Sequence, residues 1–214
     1  MPDLPIPFQT WLMFAVLWIG FAAFPGPNAA YAMAVGSRRG DRAALAAATG
    51  FSIAVAAYVV LVGLGLIAFL AASAVLFEAL RWIGVSYLLF LAWQSWRAPT
   101  DPAPPPAIGV REAGNITLKA ALISLTNPKS ALTYVLVYPP FMTADASTAE
   151  GAWQLVQLGA TSVVLSFINY AIYGLTAGRI GKLIRTHRQA LIRNRTFAII
   201  FAGAGAALAW AGRR

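Results

Sequence analysis

The stretch FQTWLMFAVLWIGFAAFPGPNAAYAMAV, residues 8–35, has no charged side chain and is long enough to cross a lipid bilayer. A hydrocarbon core of about 30 Å needs roughly 20 apolar residues in a helix that rises about 1.5 Å per residue. Similar apolar runs follow along the chain at 43–70, 77–96, 118–141, 152–178 and 190–211. The sequence therefore predicts an all-α membrane protein with six transmembrane helices.

The composition excludes an ordinary soluble domain, because 59% of the 214 residues are hydrophobic and only 11% are charged. The absence of cysteine removes disulfides, thiolate metal ligands and a thiol nucleophile. The one histidine, His187, lies in a basic loop, and the sequence has no cluster of acids and histidines typical of an enzyme. We therefore expect neither a bound metal nor a cofactor.

The formal charge of +9 is concentrated in three alternate connections between the apolar runs. The basic residues there are Arg38, Arg39, Arg42, Arg97, Arg111, Lys119, Arg179, Lys182, Arg185, Arg188, Arg193 and Arg195. By the positive-inside rule these connections are cytoplasmic and both termini lie outside. This pattern indicates membrane topology and contact with anionic lipid, and it argues against nucleic acid as a partner.

A proline-rich polar segment at 98–114 is predicted to be a cytoplasmic linker, because such a sequence cannot form a membrane helix. It divides the chain into two three-helix blocks, 1–97 and 115–214. Three is odd, so two blocks of the same fold must have opposite orientations in the membrane. This is the inverted-repeat plan of many secondary transporters.

Proline motifs interrupt the first helix of each block, at Pro25-Gly26-Pro27-Asn28 and at Asn127-Pro128-Lys129. Proline removes a backbone donor and clashes with the preceding turn, so both helices are predicted to be broken. Freed backbone groups in a bilayer must face protein or a wet cavity. An ordinary proline kink is the alternative for either motif alone. Matched breaks in the two halves favour a binding site between them.

Other polar residues in the apolar runs have two readings each. Tyr134, Asn169 and Tyr170 are candidates for lining the transport path or for making hydrogen bonds between helices. The small-residue pattern Gly174–Gly178 favours packing within the chain over a homodimer contact.

All acidic residues lie outside or at the rims of the apolar runs, so Asp41 and Glu78 are the candidates for proton coupling.

These motifs, together with Gly84-Val85-Ser86-Tyr87-Leu88 and Tyr138-Pro139-Pro140-Phe141, resemble the LysE family of amino-acid exporters. The threonine/homoserine exporters form one branch of that family. The similarity extends over essentially the whole chain, although Ala54 and Pro140 depart from frequent family residues. The resemblance implies export of amino acids or close analogues across the bacterial inner membrane, driven by the proton gradient.

The breaks suggest how such a substrate is held. The positive end of the half-helix starting near Asn28, with Lys129, is expected to bind the carboxylate. Carbonyls freed at Phe24 and Gly26, with the asparagine side chains, are expected to bind the ammonium. The candidate substrate-binding residues are Pro25, Gly26, Pro27, Asn28, Asn127, Pro128 and Lys129.

The sequence favours small neutral amino acids, because no carboxylate is embedded in an apolar run to pair with a cationic side chain. Export of cationic amino acids or of metal ions, as in the same superfamily, is the alternative. An intramembrane enzyme and a non-transporting membrane subunit are the alternatives from other classes of protein.

Overall fold

The computed structural model describes residues 6–23, 26–65, 74–100, 108–144, 147–181, 183–184 and 186–210. Within these ranges every regular element is a helix, so the all-α part of the prediction is confirmed. The helices are α1 (Phe8–Ala23), α2 (Pro27–Arg39), α3 (Asp41–Gly63), α4 (Ala74–Trp96), α5 (Val110–Leu125), α6 (Pro128–Val137), α7 (Ala149–Gly181) and α8 (His187–Trp210). A 3-10 turn at Pro139–Phe141 follows α6.

Helices are interrupted at both proline motifs. Gly26 has an extended backbone, with φ −154° and ψ −168°, and directly precedes α2. The axes of Phe8–Ala22 and Pro27–Arg39 differ by 66°. In the second motif α5 ends at Leu125 and α6 begins at Pro128. Proline is tolerated in a first turn because the missing N–H has no intrahelical acceptor there, so each proline starts a new helix.

Two helices of the described part, α3 and α7, are long and apolar enough to cross a membrane, and α1 with α2 makes a third if the bent pair is one span. The six-span arrangement therefore stays a prediction. Arg188, Arg193 and Arg195 make the start of α8 polar. Helix α5 begins inside the segment 98–114 that the sequence predicts as linker.

Buried side chains form two clusters of different character. The alanine-rich cluster joins α2, α3, α4, α5 and α8, and its larger members include Tyr31, Phe51, Leu88 and Phe201. The aromatic cluster joins α1, α3, α6 and α7. Its buried members are Ile6, Phe14, Trp18, Val55, Tyr58, Ala131, Tyr134, Val137, Tyr138, Phe141 and Leu158. The two helix breaks lie between α1 and α2 and between α5 and α6, where the two clusters meet.

Glycines bring backbones into direct contact on the side of the alanine-rich cluster. A methyl group added to Gly36 of α2 would overlap the backbone oxygen of Gly174 in α7. One added to Gly50 of α3 would overlap the backbone oxygen of Thr117 in α5. Gly178 also faces α2, near Gly36. The small residues of α7 therefore pack within the chain, which is the reading that the sequence favours for them.

Candidate functional site

The two helix breaks meet at a pair of buried asparagines. Asn28 is the second residue of α2, and Asn127 directly precedes α6. The Nδ2 group of Asn127 donates a hydrogen bond to Oδ1 of Asn28 over 3.3 Å. The Nδ2 group of Asn28 donates to Oγ of Ser124 (3.1 Å) and to the hydroxyl of Tyr170 (3.3 Å). The pair thus connects the two helix breaks, and Asn28 also connects α2 to α7 through Tyr170.

A cavity of about 50 Å³ lies beside this pair. Hydroxyl groups from α5, α6 and α7 line much of it, namely those of Ser124, Ser130, Thr133, Tyr134, Ser166 and Tyr170. The remaining lining residues are the two asparagines together with Trp18, Phe21, Ala22, Gly26, Ala29 and Val55. Among the described side chains that line the cavity, none is a carboxylate, an ammonium, a guanidinium or an imidazole. The site is therefore polar but uncharged over its described part.

The positive end of α2 reaches the cavity without a side-chain cap. Its N-cap is Gly26, which has no side chain to accept a hydrogen bond from the first turn. Because the first N–H groups of a helix lack intrahelical acceptors, those of Asn28 and Ala29 are available to an anion. Gly26, Asn28 and Ala29 all line the cavity. A carboxylate there would also gain from the helix dipole.

The opposite, negative helix ends are capped by side chains. The hydroxyl of Tyr58 donates to the carbonyl of Leu125 over 2.9 Å, at the end of α5. The Nδ2 group of Asn169 donates to the carbonyl of Ala22 over 3.0 Å, near the end of α1. Each bond satisfies a carbonyl that the broken helix leaves without an intrahelical partner. In the described part of the breaks, the carbonyls of Ala22 and Leu125 are therefore capped, whereas the start of α2 has no side-chain cap.

Aromatic rings form one wall of the cavity and continue into the aromatic cluster. Tyr134 stacks on Tyr58 with ring centroids 4.7 Å apart and meets Trp18 edge to face at 5.3 Å. Nε1 of Trp18 donates to Oγ of Ser166 over 3.1 Å. Tyr138 shares a hydrogen bond of 2.8 Å with Ser162 on α7. These contacts hold α1, α6 and α7 together next to the breaks.

Comparison with known proteins assigns this arrangement to a family. The family model of the LysE type translocator matches residues 19–212. The chain belongs to the LysE family. It is a helical membrane protein, and members of this family are transporters.

Relatives of this LysE-family chain include proteins named for efflux. A protein of Vibrio cholerae serotype O1, named as an uncharacterized membrane protein, is 35% identical over 207 residues, which cover 95% of this chain and 98% of the relative. The homoserine/homoserine lactone efflux protein of Salmonella typhi is 29% identical over 202 residues, covering 94% of this chain and 97% of the relative. The leucine efflux protein of Klebsiella pneumoniae is 29% identical over 204 residues, covering 94% of both chains. No solved structure matches the chain significantly.

The structure brings several of the predicted site residues together in this LysE-family chain. Those that line the cavity are Gly26, Asn28, Asn127, Tyr134 and Tyr170. Pro27 and Asn127 line a second, smaller pocket between α2, α4 and α5. Pro25 and Phe24 lie outside the described residues, as do the side chains of Pro128 and Lys129.

Three predicted residues lie elsewhere. Asn169 is not among the residues that line the cavity, and its amide donates an interhelical hydrogen bond to the carbonyl of Ala22. Glu78 is at the surface of α4, where it accepts a 2.7 Å hydrogen bond from Nε1 of Trp82. Asp41 is in the first turn of α3 and packs near Gly178. Neither acid is among the residues that line the cavity.

Sequence reasoning missed most of the hydroxyl groups. Ser124 and Ser130 lie three residues on either side of Asn127, and one backbone turn on each side of it brings both serines close. That spacing was a usable signal for both serines. Nothing local distinguishes Ser166 or Tyr58, whose roles depend on which helices pack against α1 and α5.

Proposed function

We propose that this LysE-family chain exports small neutral amino acids with polar side chains, such as homoserine, and holds them between its two broken helices. The observation that carries the proposal is the Asn28–Asn127 pair, which connects both breaks beside a hydroxyl-lined, uncharged cavity. The names of two relatives support export of homoserine and of leucine by other members. A substrate hydroxyl suits this lining better than an alkyl group, because a site built from hydrogen-bonding groups disfavours analogues that leave them unpaired.

The substrate carboxylate is proposed to bind at the uncapped start of α2. The free N–H groups of Asn28 and Ala29 supply donors, and the amide of Asn127 lies beside them. Lys129 follows Pro128 in the first turn of α6 and supplies a positive charge in the same proposal. Cationic amino acids and metal ions are disfavoured, because the described cavity lining contains no carboxylate to pair with a second positive charge.

The transport cycle is proposed to use two inverted repeats, 1–97 and 115–214, in the bacterial inner membrane. The two blocks are packed against each other throughout: α2 packs on α7, α3 packs on α5, and α4 pairs with α8. In this arrangement the basic connections are cytoplasmic and the termini are outside. The proton gradient drives export, with Asp41 and Glu78 as the candidate coupling groups outside the cavity.

Efflux from proteoliposomes tests the proposal. Vesicles are loaded with labelled homoserine, leucine or lysine, and export is followed after a pH gradient is imposed. We expect homoserine to leave fastest and lysine slowest. No efflux of any of the three would contradict the exporter assignment, and fastest efflux of lysine would contradict the neutral-substrate assignment.

Variants connect the activity to the site. We expect Asn127→Ala to weaken transport by about tenfold or more, because a hydrogen bond to a charged group contributes about 1.5–3 kcal/mol. Lys129→Ala should abolish export while the protein still reaches the membrane. Asn194→Ala is the matched control, since it removes a buried amide of α8 that bonds to Ala98 and Pro99 and does not line the cavity, and unchanged transport by the first two variants would refute the proposed site.

A further inference from the structure

Three arginines meet where the end of α2 packs against the start of α8, and two of them have acceptors within the chain. Arg39 forms an ion pair with Glu112 at the start of α5. Nη1 of Arg193 donates a hydrogen bond of 3.4 Å to the carbonyl of Ser37, in the last turn of α2. Both contacts have a structural role, since a cation near the C-terminus of a helix also interacts favourably with the helix dipole.

The third arginine, Arg38, has no such acceptor among the described residues. Its Nε and Nη2 atoms are buried and make no hydrogen bond with that part of the chain. Its Cζ atom lies over the ring of Phe197, 5.9 Å from the ring centroid. The charges of Arg193 and Arg39 both repel it. Because a buried donor without a partner is unfavourable, and more so beside like charges, an anion from outside the chain would stabilise this group.

The two unpaired atoms of Arg38 define the shape of a suitable acceptor. Nε–H and one N–H of Nη2 lie on the same edge of the planar guanidinium and point in the same direction. That edge suits two oxygens of one phosphate or carboxylate, bound in a bidentate manner. The residue as a whole is partly exposed, so rotation of its side chain brings the edge to the protein surface.

The surroundings favour a lipid phosphate over a soluble anion. The end of α2 and the start of α8 belong to basic connections, where we expect the headgroups of the cytoplasmic leaflet. Ile199 and Ile200 follow Arg193 by two turns of α8, about 10 Å along its axis, and are 66% and 39% exposed. Cationic groups followed by exposed apolar side chains match a molecule with an anionic head and acyl chains.

We propose that Arg38, with Arg193 beside it, binds the phosphate of one anionic lipid at the cytoplasmic end of the protein. The guanidinium edge of Arg38 supplies two charge-assisted hydrogen bonds, and Arg193 supplies a second positive charge. The site is separate from the transport cavity, since neither arginine lines that cavity. The inference goes beyond the proposed function and does not depend on which substrate is exported.

Lipid binding by the purified, delipidated protein in detergent micelles is the first test. Short-chain phosphatidylglycerol, phosphatidylcholine or inorganic phosphate is titrated, and thermal unfolding gives the apparent Kd of each, because a ligand of the folded state stabilises it. We expect phosphatidylglycerol to bind saturably and about tenfold more tightly than the other two, since the arginines attract its anionic head. An equal Kd for phosphatidylcholine would overturn recognition of the anionic head, and an equal Kd for inorganic phosphate would overturn the lipid as its source.

Matched arginine variants separate this site from general attraction by a basic surface. Arg38→Met should weaken phosphatidylglycerol binding about tenfold or more, because it removes both charge-assisted hydrogen bonds. Arg39→Met is the control, since it makes the same change of charge one residue away. Arg39 is already paired with Glu112, so we expect a loss of less than about threefold. Equal weakening by the two variants would refute the site.

The unfolding temperature without lipid is an independent readout. There Arg38→Met should unfold at the wild-type temperature or above it, because it removes a buried charge without a partner. A large decrease would overturn the inference, since it would mean that Arg38 already has its partner within the chain. If Arg38→Met does not accumulate in the membrane, Arg38→Lys keeps the charge but loses the bidentate edge. It should bind phosphatidylglycerol more weakly than Arg39→Lys does, and equal binding by these two variants would also refute the site.

Discussion

The hydrogen bond between Asn28 and Asn127 is expected to appear as a measurable coupling energy between the two broken helices. Asn28→Ala removes three hydrogen bonds, one to each of Asn127, Ser124 and Tyr170. Hydrogen bonds between membrane helices average about 0.6 kcal/mol, so this variant should lose roughly 2 kcal/mol of unfolding free energy. Asn127→Ala removes the shared bond as well. The double variant should therefore be less destabilised than the sum of the two single variants, by about 0.6 kcal/mol.

Denaturant unfolding in mixed micelles, followed by tryptophan fluorescence, measures the four free energies of this cycle. The control cycle combines Asn28→Ala with Asn194→Ala, which removes a buried amide of α8 that donates to Ala98 and Pro99 and shares no partner with Asn28. That cycle should be additive within about 0.3 kcal/mol. If the Asn28–Asn127 cycle is equally additive, the asparagines do not bond each other, and the junction between the two breaks is not as described.

Three further predictions concern packing and movement. Gly36→Ala should destabilise the protein severely or prevent its accumulation in the membrane, because the methyl group would overlap a backbone oxygen of α7. Gly203→Ala is the control and should be tolerated, because Gly203 has open space around it. Thermal unfolding measures the stability of both variants. Tyr58→Phe keeps the ring but leaves the last carbonyl of α5 uncapped, so the same measurement should show a loss of about 1 kcal/mol, and full stability would contradict that capping role. We expect α1 to move on substrate binding while α5 stays fixed against α3. Substrate should therefore change the distance between spin labels at Met13 of α1 and Ile53 of α3, both exposed, more than the distance between labels on α5 and α3, and equal changes would contradict this expectation.

The helix breaks were predictable because the effect of proline is local. Pro27 and Pro128 each start a new helix, as their missing donors and fixed φ require, whatever surrounds them. The asparagines were predictable in a second step, since each lies next to its break and each break falls in the first helix of a predicted three-helix block. The local effect of proline, together with the predicted repeat, was thus enough to single out the two asparagines of the candidate site.

The rest of the site depends on tertiary packing that no local pattern encodes. Asn169 and Tyr170 are neighbours in α7, yet the first caps a carbonyl of α1 and the second lines the cavity and bonds to Asn28. Successive residues of a helix point about 100° apart, so which one faces the cavity depends on how α7 is rotated against α1 and α2. Ser166 was missed for the same reason, because its role requires Trp18 to approach from another helix.

The size of the cavity indicates that the site must widen to hold its proposed substrate. A volume of about 50 Å³ accommodates roughly three to five water molecules, at about 10–15 Å³ each, whereas homoserine has eight non-hydrogen atoms. Helices α2 and α5 are held against α7 and α3 by glycine contacts with backbone atoms, at Gly36 and Gly50, and close packing of that kind is lost at once when helices separate.

Helices α1 and α6 are held differently, by side-chain hydrogen bonds to α7, such as that from Trp18 to Ser166, and by ring contacts such as Phe14 with Tyr138 at 5.5 Å and Trp18 with Tyr134 at 5.3 Å. Each such pair contributes about 0.5–1.5 kcal/mol beyond its buried area, and side-chain rotation can re-form it in a new position. A backbone contact at a glycine has no side chain that could rotate to restore it. We therefore expect the cavity to open by movement of α1 and α6 while α2 and α5 stay fixed, so that the rings of Trp18 and Tyr134 close the site around the substrate.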